Sequence, residues 1–141
     1  MNIIEVIGGT TKERRICTEA AEFAVHKLMP RMKTLDITIE IKNIYDTVDG
    51  YCLQVDNRTF EIEIQKGIDI DDMITAVFHE IVHVKQGARK ELIDTGFCTK
   101  TWCGVDYICI TSTTKEYMAQ PWEAEAYYLQ EELFMEYANG A

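Results

Sequence analysis

Histidine is scarce in this chain, three residues in 141, and proline scarcer still, with two. No run is long and apolar enough to span a membrane, no repeat recurs at a solenoid period, and there is no low-complexity segment. Charge of one sign is short as well: 14 Lys and Arg stand against 24 Asp and Glu, a formal net charge of −10. A broad nucleic-acid footprint needs a basic face, so the composition argues against that partner. The five cysteines (Cys17, Cys52, Cys98, Cys103, Cys109) are odd in number and show no framework spacing. Cys98-x4-Cys103 lacks the second pair that a zinc ribbon would need. Met1-Asn2-Ile3-Ile4-Glu5 does not read as a signal peptide. The expectation is a protein of a reducing cytoplasm, with its thiols in the core or in a hairpin. The length suits one domain over residues 1–141, large enough for a core without staples.

Two of the three histidines lie together in His79-Glu80-Ile81-Val82-His83, an H-E-x-x-H pattern. On a helix, residues four apart share a face, so two imidazoles can hold one metal ion. Glu80, about 100° round from His79, can reach a water on that metal. The flanking sequence is helical in period: Ile70, Ile74, Val77, Ile81 and Val84 recur at threes and fours. Asp69 or Asp71 suits the start, and Gly87 is the expected stop. The apolar stripe falls opposite the histidines, while Phe78 and Val82 flank it. The histidines therefore face whatever covers the other side of a largely buried helix.

In chain order, Ile3, Ile4, Val6 and Ile7 suggest a short strand ended by Gly8-Gly9. Thr10 and Glu13 form a capping box for a helix running to Leu28, with Ile16, Ala20, Phe23, Ala24 and Leu28 inward and Pro30 beyond its end. His26, in its last turn, reads as a surface residue. Three alternating runs follow: Leu35 to Ile41, Tyr51-Leu53-Val55 and Phe60-Ile62-Ile64, each a strand with one buried face. Asp56-Asn57-Arg58-Thr59 is the turn of a hairpin. The last strand leads into the motif helix, and at a sheet edge it could pair with an extended peptide. Phe97–Thr101 and Val105–Ile110 suggest a hairpin about Trp102-Cys103-Gly104, either a lid or a connector, with a polar turn at 111–114. Pro121 opens a final helix whose stripe is Trp122, Ala126, Leu129, Leu133 and Tyr137. Steps of about 100° turn Glu123 inward and leave Glu125 outward with Glu132 and Glu136.

A hydrolytic zinc site commonly has three protein ligands and one open position. No histidine follows His83, so the third ligand is an acid: Glu91, Asp94, Asp106, Glu123 or Glu125. Glu123, inward on a separate helix, is the first choice and Glu125 the second. Tyr127 or Tyr117 could stabilise an oxyanion, and Asp72 could orient a ligand.

His79-Glu80-Ile81-Val82-His83 followed by Glu123-Ala124-Glu125-Ala126 resembles the gluzincins, zinc metallopeptidases whose third ligand is a glutamate on a later helix. The E-x-x-A form is similar to that of the minimal gluzincins, with Glu123 as the matching glutamate, and the whole is similar to small metallopeptidase-like proteins of phages and bacteria. The resemblance implies an α+β, zincin-like fold: an N-terminal helix, a small mixed or antiparallel sheet, the motif helix and a glutamate helix. It also implies Zn²⁺ on His79, His83 and Glu123, Glu80 as general base, and a peptide or protein substrate laid along the sheet edge. The expected setting is the cytoplasm of a bacterium or of a phage-infected cell. The competing expectation is a zinc-bearing interaction module of the same fold that does not cleave.

Overall fold

Period-two alternation builds the first layer of the protein. In the computed structural model, which describes residues 1–109 and 111–140, β1 (Ile3–Gly8), β2 (Asp36–Lys42), β3 (Gly50–Gln54) and β4 (Thr59–Gln65) form one sheet. The order is β1-β2-β4-β3; the first three run parallel and β3 is antiparallel at the edge. Ile37, Ile39, Ile41, Phe60, Ile62 and Ile64 form its buried face. Against that face pack α1 (Thr11–Leu28), the crossover between parallel β1 and β2, and α2 (Ile70–Ala88), which carries the H-E-x-x-H sequence. Thr10 and Glu13 make the reciprocal capping box at the start of α1.

A second layer follows α2. β5 (Leu92–Gly96), β6 (Thr99–Trp102) and β7 (Val105–Ile108) form an antiparallel sheet in that order. After them come α3 (Thr114–Ala119) and α4 (Pro121–Ala138), and α4 lies along α2. Buried Trp122 of α4 meets Trp102 and Tyr107, with ring centroids 6.4 and 5.7 Å away, which ties the second sheet to the helices. The protein is thus a mixed α+β domain with two sheets. Among the described residues, no helix is long and apolar enough to cross a membrane.

Several expectations are corrected. β4 is an interior strand between β2 and β3, so the edge beside α2 belongs to β3. On β3, Tyr51 and Leu53 point to solvent, as does Val55 just beyond it, and Gly50, Cys52 and Gln54 face the α2 side. The reason is register: Cys52 lies opposite Ile62 and Gln54 opposite Phe60, which places their partners' buried face on theirs. Gly87 does not stop α2, which continues to Ala88. It is instead a point of close approach, since a Cβ there would sit 2.6 Å from Gln54 Oε1 and 2.9 Å from Phe60 Cε2. The expected hairpin is β6 and β7 of a three-stranded sheet, to which β5 adds a strand beside β6. Cys103 and Gly104, both at positive φ, make its two-residue turn, and Phe97-Cys98 is a second turn, not strand. Ile110, the expected end of the last strand, lies outside the described residues, and β7 ends at Ile108. The polar run after it caps α3 through Thr113, whose hydroxyl accepts from the Glu116 amide.

Gly8 carries the tightest backbone contact of the first layer. Its φ is +78°, and a Cβ there would fall 2.3 Å from the carbonyl oxygen of Ile41. Gly8→Ala is expected to cost about 2 kcal/mol or more, read as a lower urea midpoint at unchanged slope. An unchanged midpoint would mean that β1 and β2 part without penalty there.

Candidate metal centre

α2 is apolar on most of its circumference, so it is covered on most of it: by the sheet and α1 on one side and by α4 on the other. His79 and His83, one turn apart, share the α4 side, with ring centroids 5.0 Å apart. Glu123 enters from the first turn of α4 and is 4% exposed. Its Oε1 lies 3.0 Å from His79 Nε2 and its Oε2 3.1 Å from His83 Nε2. One ligand atom from each of the three residues falls within 4.8 Å of the others. Of the five acids considered as third partner, Glu123 is the one brought to the histidines.

The far side of each imidazole decides what can sit between them. His79 Nδ1 is 2.7 Å from Gln130 Oε1, and His83 Nδ1 is 2.8 Å from Gln86 Oε1. An amide oxygen only accepts, so each Nδ1 carries a proton. Each neutral ring then presents the lone pair of Nε2 to the Glu123 carboxylate. Acceptors facing one another in a buried place need a cation among them, a proton or a metal. Two imidazole nitrogens and one carboxylate oxygen form a donor set that suits Zn²⁺ in an open, three-ligand site.

With protons in that role, the group is held by charge. Burial alone would lower the pKa of His83, but the hydrogen bond to Glu123 and the charges of Glu123 and Glu80 raise it to about 9. Burial alone would raise the pKa of Glu123, but hydrogen bonds from His79 and His83, with their charges, lower it to about 2.

Glu80 belongs to a different chemistry. It is 6% exposed, and among the described residues no group donates a hydrogen bond to its carboxylate. Burial raises its pKa; the His83 and His79 charges oppose that, and Glu123 adds to it. Its carboxylate lies against the start of β3, where a Cβ on Gly50 would be 3.1 Å from Oε2. Cys52, on the same inward face, has its pKa raised well above the ordinary value by burial and then by Glu80, which keeps it a thiol.

The cluster and Glu80 line one cleft of about 1140 Å³, walled by β3 on one side and by α3, α4 and β5 on the other. Two phenols reach it. The Tyr127 ring is 4.7 Å from that of His79, and its pKa is raised by burial, then by the charges of Glu123 and Glu80. Tyr117, on α3, is raised by burial, then by the charge of Glu123 and a hydrogen bond to it. Asp72 is exposed at the rim, away from the orienting role considered for it. Glu125 does not point outward as its helical angle suggested. Lys85 Nζ lies 2.9 Å from its Oε1, and the side chain of Glu125 is 28% exposed. Glu91 also pairs with Lys85, Asp94 with Lys100, and Asp106 accepts from Thr101. His26 is exposed on α1.

Gln86 and Gln130 were not expected at the site. Their spacing carried a signal: Gln86 is three residues after His83, and Gln130 seven after Glu123, so each shares a helical face with a member of the cluster. A glutamine at such a position is ordinary on a surface helix, and only the packing of α4 on α2 gives it a partner.

The charges have a consequence for the chelator-treated protein. His83 is raised from 6.5 to about 9, so its stabilisation is full below pH 6.5 and is lost as pH rises through about 9. Glu123 is lowered from 4.5 to about 2, so its stabilisation is full above pH 4.5 and is lost as pH falls through about 2. Glu80, also raised, lowers stability as pH rises above 4.5, where burial opposes its ionisation. Urea midpoints of metal-free protein are expected to fall between neutral pH and pH 10, and to fall less in Glu123→Gln. Parallel curves for the two proteins would contradict the charge-held cluster. No family model, no curated protein and no solved structure matches this chain.

Proposed function

We propose that this protein is a zinc-dependent metallopeptidase of zincin-like fold, with His79, His83 and Glu123 as the ligands and Glu80 as the general base. The observation that carries the proposal is the Glu80 carboxylate: buried, without a donor, and facing the same cleft as the cluster. A structural metal site has no use for such a group and is normally closed by four protein ligands. Three converge here among the described residues.

Zinc held there would acidify a coordinated water and polarise the scissile carbonyl. Glu80 takes the proton of the attacking water as the new C–O bond forms. It returns that proton to the amine as the C–N bond breaks. Its raised pKa brings it nearer to the working pH of a base that must also act as an acid. Tyr127 or Tyr117 donates to the developing oxyanion. The outer edge of β3, which pairs with no other strand among the described residues, borders the cleft and is a place for an extended peptide. The five unpaired cysteines suit a reducing compartment, such as the cytoplasm of a bacterium or of a phage-infected cell.

Elemental analysis is expected to find close to one zinc per chain in the wild type and clear loss in Glu123→Ala after the same dialysis. Zinc retained in both would move the third ligand elsewhere. Glu80→Gln is expected to keep the zinc and to lower cleavage of a peptide library by about 10²- to 10⁴-fold. A wild type that holds zinc and cleaves nothing would favour the non-catalytic module. Full activity in Glu80→Gln would remove Glu80 from the mechanism.

A further inference from the structure

The two imidazoles are not oriented in the same way. Gln130 is half-buried, and among the described residues its amide nitrogen donates to Glu131 alone, at 3.2 Å. Gln86 has no exposed surface at all. Its Nε2 donates to the carbonyl oxygen of Trp122 at 2.9 Å and to Glu125 Oε1 at 3.1 Å, which uses both of its protons. Two acceptors on that side leave the amide one orientation, with Oε1 toward His83 Nδ1 at 2.8 Å. Glu125 stays in place because Lys85, itself 8% exposed, lies 2.9 Å from it and 3.0 Å from Glu91. Glu125 without Lys85 would be a half-buried charge short of a partner, and Lys85 without Glu125 a buried charge left with Glu91 alone.

We propose that Lys85, Glu125 and Gln86 form a positioning relay that holds His83 with its proton on Nδ1 and its Nε2 lone pair toward the metal. The inference rests on the metal reading above and adds residues outside the H-E-x-x-H and Glu123 set. The direction of control is fixed by donor counts. Glu125 can only accept, so Gln86 must turn its amino group to it, and the carbonyl that remains can only accept from His83. Without Glu125, one Gln86 proton has no acceptor and the reversed amide becomes competitive. A reversed amide would give a proton to Nδ1 and place the ring proton on Nε2, where it blocks the ligand position. The second sheet lies close to this relay, because the backbone carbonyl of Glu91 accepts from the Cys103 amide in the β6–β7 turn while its carboxylate meets Lys85.

The test is zinc affinity, measured by competition with a chromophoric chelator at fixed pH. Gln86→Leu and Glu125→Leu are expected to weaken binding by about 10- to 100-fold, as loss of a ligand-orienting partner does elsewhere. Glu125→Gln keeps the volume and an oxygen that accepts from the Gln86 amide, and is expected to recover most of the loss seen in Glu125→Leu. A merely structural pocket would not be rescued in this way. Wild-type affinity in either leucine variant would overturn the relay, and so would a Glu125→Gln variant no better than Glu125→Leu. If the leucine variants do not fold, nitrogen-15 spectra of the zinc-loaded wild type decide. A slowly exchanging Nδ1 proton on His83 supports the relay, and a fast-exchanging or absent one overturns it. A wild type that binds no zinc would remove the metal reading and the relay together, whereas zinc bound equally by all variants would remove the relay alone.

Discussion

A buried carboxylate set against two imidazole nitrogens is the contact on which the rest of this structure depends. Glu123 is almost wholly enclosed, and its oxygens lie at hydrogen-bond distance from Nε2 of His79 and of His83. An acid in such a place is tolerated only with a cation beside it. That requirement fixes where α4 must lie on α2, because one first-turn residue has to meet two residues a turn apart. It also gives the surrounding polar groups their tasks: Gln130 and Gln86 behind the rings, and Lys85 with Glu125 behind Gln86. The polar network occupies one side of α2, and the opposite side is closed by isoleucine, valine and phenylalanine.

The division between the cluster and Glu80 follows from helix geometry. His79 and His83 point to α4, while Glu80, one residue on, turns toward β3 and lies against Gly50. One helix therefore presents two imidazoles toward α4 and a buried carboxylate toward β3, both lining the same cleft. The edge strand contributes through what it lacks: a side chain at Gly50 and, among the described residues, a strand paired on its outer side. In physical terms this is a place where a carboxylate can stay buried and yet meet a guest molecule.

Much of this was legible beforehand. The helical period around His79 and His83, the capping box of Thr10 and Glu13, the alternation of Ile37 to Ile41 and the inward angle of Glu123 each depend on contacts within a few residues. Where the reading failed, distant partners decided. Tyr51 and Leu53 alternate as a buried face should, but pairing with Glu63 and Glu61 puts them on the open side of the sheet. Glu125 lies by angle among outward acids, yet Lys85 on α2 draws it into a partly buried pair. Gly87 has the composition of a helix stop and serves as a close approach to Gln54 and Phe60.

The sequence by itself determined that two imidazoles and a following carboxylate share a helix, that a later helix turns one glutamate inward, and that alternating strands lie between β1 and α2. These are statements about period, and period is a property of the local backbone. Only the tertiary structure decided which strand forms the edge, which face of it is buried, and which amides stand behind the histidines. Those outcomes rest on register and on packing between segments tens of residues apart, where a shift of one residue along a strand exchanges its faces and a shift of one turn along a helix exchanges its partners.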